Sequence, residues 1–363
     1  MKGPTAALTL SALTWFVITT LIGTAGAASL NACSPEDNKE GIKSEPQSGA
    51  SIITGDKLIN VKAALQLESP QHWPDSTLLP FVSAHLSKDK NAFTQAACKL
   101  IRAGADTAFV FKLINHPAVK HDTKYMKINV TGYLGKPDYS SHYNAYSVKK
   151  AVAFHEEYDS LLTLVEKKYG VSSEALTAVA WVETRHGAYL GDHNVPSVYL
   201  CLSMTDNPEY IELNMEALHE KFDGDSTELI ELEQKILDRS ASKSAWAVEQ
   251  LMALQTVETM GHLSVSDLVG SWAGAFGISQ FIPSSYVSWA VDGNNDGTIN
   301  LYDMPDALFS IGNYLKEHGW DQTNEGERKA VWGYNHSTAY VDAVLLLRDK
   351  IRSRVKSSAG QAE

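Results

Sequence analysis

Apolar residues in this chain recur at three- and four-residue intervals, and no stretch of useful length alternates between apolar and polar. A half-buried sheet needs a period of two, so this pattern restricts the chain to a mainly α fold. Between Val148 and Tyr169 the stripe Phe154, Tyr158, Leu161, Leu162, Val165 and Tyr169 predicts one helix, stopped by Gly170. Ser172 or Ser173 opens the next, with Glu174 in its first turn. Residues 226–262 read as two polar-faced helices, and residues 305–318 as a helix entered at Pro305 and ended by Gly319. Residues 338–354 read as a last amphipathic helix. Before Ser147, short helical patterns lead into an irregular run rich in Tyr, Gly, Pro and Ser, from Tyr133 to Tyr146.

The chain has 363 residues, enough for two or three subdomains, and a formal net charge of -12. That charge argues against nucleic acid as a partner, because phosphates are held by Lys and Arg. It gives no help with an anionic polymer either, so affinity for one would rest on shape, stacking and hydrogen bonds. At the start, Lys2 precedes an apolar stretch from Ala6 to Ile22, followed by Gly23, Ala25, Gly26, Ala27 and Ala28. This is the layout of an export signal. One reading cuts it after Ala27 and leaves a plain periplasmic or secreted protein. The other takes Leu30-Asn31-Ala32-Cys33, which resembles a bacterial lipoprotein box, and puts a lipid on Cys33. The membrane would then be reached through that lipid alone, and Ser34 resembles a signal for the periplasmic face of the outer membrane. Residues 34–55 are polar and read as a flexible tether. Cys98 and Cys201 remain, either disulfide-linked or as two buried thiols, and none of the three cysteines has metal-ligand spacing.

One residue stands on the wrong face. Leu176, Val179 and Ala180 form the inward stripe of the helix that starts near Ser173, and the next position on it is Glu183. Burial disfavours a carboxylate and raises its pKa, which suits a general acid. A buried Glu–Arg pair, or a helix end emerging into solvent before Gly187, gives the same pattern. Further on, Asp292-Gly293-Asn294-Asn295-Asp296-Gly297-Thr298-Ile299-Asn300 has the spacing of an EF-hand loop. Oxygen donors fall at Asp292, Asn294 and Asp296, Gly297 stands at the sharp turn, and Thr298 offers a backbone carbonyl. The usual closing Glu is absent. Asp303 occupies its position, and Asp306 would close a longer loop over 292–306. A structural Ca2+ is the expectation, with no organic cofactor; a metal-free Asn/Asp turn is the alternative.

Three segments carry a family resemblance. Val182-Glu183-Thr184-Arg185-His186-Gly187 resembles the acid-bearing segment of the membrane-bound B type of lytic murein transglycosylases. The block from Gly270 through Ser271, Trp272, Gly274, Gly277, Gln280, Phe281 and Pro283 to Tyr286 is similar to the block that faces that acid in the family. Gly333-Tyr334-Asn335-His336-Ser337, with Tyr340 after it, is similar to the family's C-terminal segment. The resemblance implies a lysozyme-like helical catalytic core, placed over 148–355, with an N-terminal helical subdomain over 56–147 and the inserted EF-hand-like loop; residues 356–363 read as a disordered tail. It favours Asp306 over Asp303 as the closing ligand. It implies Glu183 as the catalytic acid, Ser271 and Gln280 as hydrogen-bonding groups for the sugar, and Tyr314, Tyr334, Asn335 and Tyr340 as cleft residues. Tyr139 corresponds to another cleft tyrosine with its spacing off by one, and Trp272 reads as core. Ser279 and Trp272 depart from the commoner pattern, as does a longer stretch between Leu202 and Gly270.

The expected partners are peptidoglycan glycan strands. The expected reaction is cleavage between N-acetylmuramic acid and N-acetylglucosamine to leave a 1,6-anhydro end, with one Glu as acid and then base. Two-carboxylate hydrolysis is the rival chemistry, a hydrolytic muramidase, and a non-catalytic calcium-binding wall-associated lipoprotein is the rival class.

Overall fold

The structure, a computed structural model, describes residues 70–131, 138–220, 222 and 224–359. The export signal, Cys33 and the tether lie outside the described residues. Among the described residues no helix is long and apolar enough to cross a membrane.

The fold is mainly α. Helices α1 (Asp75–His85), α2 (Thr94–Arg102), α3 (Thr107–Ile114) and α4 (Thr123–Thr131) are short, as the punctuated apolar pattern before Ser147 implies. Helices α5 (Ala145–Glu157), α6 (Asp159–Tyr169) and α7 (Ser173–Thr184) follow. The stripe from Val148 to Tyr169 is therefore two helices rather than one. Tyr158 breaks them at φ -104°, ψ 17°, stacked on Phe154 with ring centroids 4.5 Å apart. Both helices keep the same face inward across the break, and for that reason the apolar period does not reveal it. Gly170 caps α6 in the left-handed conformation, at φ 71°.

Next come α8 (Val195–Leu202), α9 (Pro208–His219) and α10 (Ser226–Met260). The expected pair of helices over 226–262 is one 35-residue rod, about 50 Å long at 1.5 Å per residue. No Gly or Pro interrupts it. The Asp225 carboxylate accepts from the N–H groups of Thr227 and Glu228 at its start, and Gly261 caps its end. Its Ser-rich middle is fastened to the end of α8. Thr205 Oγ1 donates to the Ser240 carbonyl at 2.7 Å, and Ser244 Oγ donates to the Ser203 carbonyl at 2.7 Å. The chain closes with α11 (Pro283–Trp289), α12 (Met304–Glu317), α13 (Asn324–Tyr334) and α14 (Thr338–Ala359). The last helix runs past the expected stop at 354, through 356–359.

Chain order and core membership do not coincide. One core joins α1–α4 to α8, α10 and the segment around Phe276–Tyr286. The other joins α5–α7 to α12–α14. Helix α7 runs through the second, packed on α14, α5, α6 and α12. Every residue from Ala175 to Val182 is buried, Thr177 included, so the helix is buried all round rather than along one stripe. The buried ion pair of Arg348 with Glu327 ties α14 to α13. Among the described residues the sheet is a two-stranded antiparallel ribbon, β1 (His193–Asn194) with β2 (Val269–Gly270), in which His193 faces Gly270.

Candidate active site

Glu183 stands on the last turn of α7, where the helix leaves its core. It is half-buried. Tyr340 Oη donates a hydrogen bond to Glu183 Oε1 at 2.5 Å. Burial pushes the carboxyl from 4.5 up to about 7, and the Tyr340 hydrogen bond, which favours the ionised form, holds it back from going further. Among the described residues no other carboxylate contributes to that shift, whose causes are burial and Tyr340. Its own charge acts on four tyrosines, Tyr139, Tyr314, Tyr334 and Tyr340, whose hydroxyls burial already makes hard to ionise. Glu183 is thus a lone acid among neutral phenols, protonated through the slightly acidic range.

The tyrosines differ in what they do. Tyr340 is 2% exposed and packs edge-on against Tyr139 at 5.8 Å. The Asn335 side chain hydrogen-bonds the Tyr139 hydroxyl, while Asn335 Oδ1 is buried with no partner among the described residues. That oxygen is an unpartnered acceptor within the tyrosine cluster. Tyr334 donates to the Ser279 carbonyl at 2.5 Å. Tyr314 packs edge-on against Tyr334, with ring centroids 4.8 Å apart. It is buried, donates to the Gly333 carbonyl at 2.6 Å, and stacks on His318 at 3.8 Å.

Beyond this cage lies a groove of about 380 Å³ lined by Ala188 to His193, Ser271, Trp272 and Gln280. Trp272 is half-buried on its wall, which corrects its reading as core. Ser271 Oγ accepts from the Ala275 N–H at 3.2 Å. Gln280 Nε2 donates to the Gly277 carbonyl at 3.0 Å. Both side chains are buried at the groove floor and keep further hydrogen-bonding capacity.

The groove is held by close backbone packing. A Cβ on Gly191, at φ 87°, would lie 2.1 Å from the Gly270 carbonyl oxygen, so the wall can meet the floor only as glycine. Non-glycine residues are left-handed at Arg185 (φ 51°), His186 (φ 58°) and Gln280 (φ 50°), each at a cost of about 1–2 kcal/mol. The turn after Glu183 is held at several points. His186 Nε2 bonds the Thr177 carbonyl at 3.0 Å, and its ring stacks on Phe154 at 3.7 Å. Burial pushes that imidazole down to about 4, so it stays neutral. Thr184 Oγ1 donates to the Ile278 carbonyl at 3.0 Å and accepts from the Gly187 N–H at 2.9 Å, stitching the acid's turn to the facing block.

The oxygen-rich loop lies between α11 and α12. Asp292 accepts from the N–H groups of Asp296 and Gly297 at 3.2 and 2.8 Å, and Asn294 from Asp296 at 2.9 Å. Asp296 accepts from the Thr298 N–H at 2.8 Å. Asp306 is fully buried and accepts from the N–H groups of Gly293 and Asn300 at 2.8 and 2.7 Å, reaching back into the loop from α12. Asp303 takes the Asn300 side chain instead, at 3.0 Å. The donors are all hard oxygens, which fits Ca2+. As they stand the carboxylates face backbone N–H groups, and among the described residues no three His, Cys, Asp or Glu side chains converge as a metal-holding group. Cys98 and Cys201 are buried free thiols rather than a disulfide.

Tyr189 and Arg185 escaped the sequence reading. Neither interrupts a periodic pattern, and only the positive φ after Glu183 and at Gly191 turns that segment onto the groove.

The fold and site define a helical protein with one embedded carboxylic acid beside an open groove. Residues 134–330 match the family described as transglycosylase SLT domain, which is more than half the chain, and the chain belongs to that family. Membrane-bound lytic murein transglycosylase B of Escherichia coli (strain K12) is 32% identical over 174 residues, 48% of this chain. The chain matches 39% of that protein's length, about two fifths. Among solved structures, Escherichia coli lytic transglycosylase SLT35 in complex with bulgecin A aligns with 74% of this chain and 93% of its own, at TM-score 0.54 and 20% identity. Soluble lytic transglycosylase SltB1 from Pseudomonas aeruginosa aligns over 72% and 99%, at 0.54 and 19%. SltB3 from Pseudomonas aeruginosa, solved in complex with NAG-anhNAM-pentapeptide, aligns over 72% and 78%, at 0.52 and 20%. At these identities the likeness establishes the lysozyme-like helical fold.

Proposed function

We propose that this chain is a lytic transglycosylase of peptidoglycan, cutting the bond between N-acetylmuramic acid and N-acetylglucosamine with Glu183 as acid and then base. The observation that carries the reading is a carboxyl with its pKa pushed up to about 7 beside a groove whose own carboxylate, Asp192, does not contribute to that shift, nor does any other carboxylate among the described residues. Protonated Glu183 gives its proton to the bridging oxygen as the C1–O4 bond breaks. The resulting carboxylate takes the proton of the muramoyl 6-hydroxyl as O6 bonds to C1. The acid is regenerated and no water is consumed. An internal nucleophile gains from proximity what a hydrolase obtains from an activated water. Ser271, Gln280 and the unpartnered Asn335 Oδ1 would hold the sugar and its N-acetyl group, with Tyr334 and Tyr340 enclosing the acid.

The names of the relatives support the substrate class, since the curated one is a murein transglycosylase and SltB3 was solved with a NAG-anhNAM-pentapeptide. The membrane-bound name of the curated relative is in keeping with export and a lipid on Cys33. We assign 148–355 as the catalytic domain, and Asp292, Asn294, Asp296, Thr298 and Asp306 as oxygen ligands of a structural Ca2+. SLT35, which shares the fold, was also solved in complex with calcium. A bound ion would neutralise the buried Asp306 and brace α12.

The test is mass spectrometry of muropeptides released from purified peptidoglycan by the full chain. Products one water lighter than the hydrolysed species, with no reducible end, are expected. Reducing ends would mean a muramidase, and binding without release would mean a wall-associated scaffold.

A further inference from the structure

Arg185 is the next residue but one after the acid, and its surroundings do not account for it. It is half-buried, and its guanidinium makes no hydrogen bond or ion pair with any described residue. It lies 5.2 Å from the Trp181 ring centroid and 5.9 Å from that of Tyr189. Tyr189 is 61% exposed and lines the groove. The remaining close charge effect is on His142, whose imidazole burial and Arg185 together keep neutral. The turn does not need this side chain. His186, Thr184 and Gly187 make its bonds, and a left-handed position favours glycine over a long cation. The chain thus holds an unpaired, pre-positioned fork of N–H donors at the groove's edge in a protein of net charge -12.

We infer that Arg185, against the Tyr189 ring, is the docking point for a carboxylate carried by the glycan strand beside the bond that is cut. This rests on the proposed function and adds a specificity to it, namely that strands are read by an anionic substituent and not by sugar shape alone. The guanidinium matches a carboxylate bidentately, and the ring face keeps water from one side of the pair. On a murein strand the carboxylate belongs either to the stem peptide or, where the peptide is absent, to the lactyl group. The chemistry is shared and the sources are separable.

The experiment measures binding by the full chain in the Glu183→Gln background, with and without a second change at Arg185. Three ligands are compared: strands with stem peptides, strands trimmed to the free lactyl acid, and strands whose carboxyls have been converted to amides. Arg185→Gln should weaken binding to a carboxylate-bearing ligand on the order of 10- to 100-fold more than to the amidated strands, the range expected for one charge-assisted bidentate contact. The ligand showing the excess loss identifies the source. Arg185→Gly, which suits the left-handed turn, should fold at least as stably and lose the same preference. Equal loss on all three ligands, or no loss, would overturn the inference and leave the proposed reaction standing. Failure of the unsubstituted chain to release any muropeptide, with no strand bound, would instead overturn the reaction.

Discussion

Glu183→Gln should make this protein more stable, and increasingly so as the pH rises. Folding moves the carboxyl from a pKa of 4.5 to about 7. Between those values the folded chain holds a proton that the unfolded chain has released, so the folded state binds more protons and stability falls as pH rises. The contribution of the neutral acid is fully present below about 4.5 and lost once pH has passed about 7. At about 1.4 kcal/mol per unit, the interval corresponds to at most about 3 kcal/mol, and the opening of Glu183 onto the cleft brings the expectation nearer 2 kcal/mol. Glutamine has the same shape, cannot ionise, and keeps an acceptor for Tyr340. The assay is urea denaturation of parent and variant from pH 4 to pH 8.5. The stability difference should be near zero at pH 4 and grow to about 2–3 kcal/mol in favour of the variant at pH 8. A difference that does not change with pH would mean that the carboxyl titrates normally. Glu183 would then be ionised at neutral pH, and its assignment as general acid would lose its physical basis.

Tyr340→Phe removes the bond that favours ionised Glu183, so the alkaline limb of the kcat/KM profile should move up by about one pH unit; an unmoved limb would exclude Tyr340 from tuning the acid. Gly191→Ala places a Cβ 2.1 Å from the Gly270 oxygen at a φ of 87°, and should cost at least about 3 kcal/mol, seen as a fall of several degrees in Tm. Trp272→Ala should raise KM several-fold on peptidoglycan with kcat nearly unchanged, since the ring lines the groove and makes no contact with Glu183 among those described. Chelation should lower the Tm of the parent chain, and Asp306→Asn should abolish the calcium-dependent part of that Tm; a Tm indifferent to calcium would remove the metal assignment.

The sequence carried the helical class because a period survives even where helices break. It did not carry helix boundaries that depend on local geometry. Tyr158 divides α5 from α6 without disturbing the stripe, and the Ser240–Ser244 segment remains helical because α8 hydrogen-bonds it. Glu183 was legible, though partly for the wrong reason. A stripe implies one inward face, whereas α7 is buried all round. What makes Glu183 an acid is its place at the helix end, where the core gives way to Tyr139, Tyr334 and Tyr340. Those rings come from two distant segments, around Tyr139 and over Tyr334–Tyr340, and no local pattern predicts their meeting.

The features missed share a cause. Trp272 reads as core because large aromatics usually are, and Arg185 stands in its motif with no role that a period can assign. Both owe their positions to backbone conformations that a side-chain period does not record. The Gly270 floor admits the wall only at Gly191, and the turn after Glu183 runs left-handed through Arg185 and His186 before a glycine appears. Left-handed turns at non-glycine residues persist only where the surroundings over-determine them, and here the fixing bonds are those of Thr184 and His186. Substitutions at those two anchors, neither of which lines the groove, should therefore disturb substrate positioning, and the turn itself is the element that couples the buried core of α7 to the open groove.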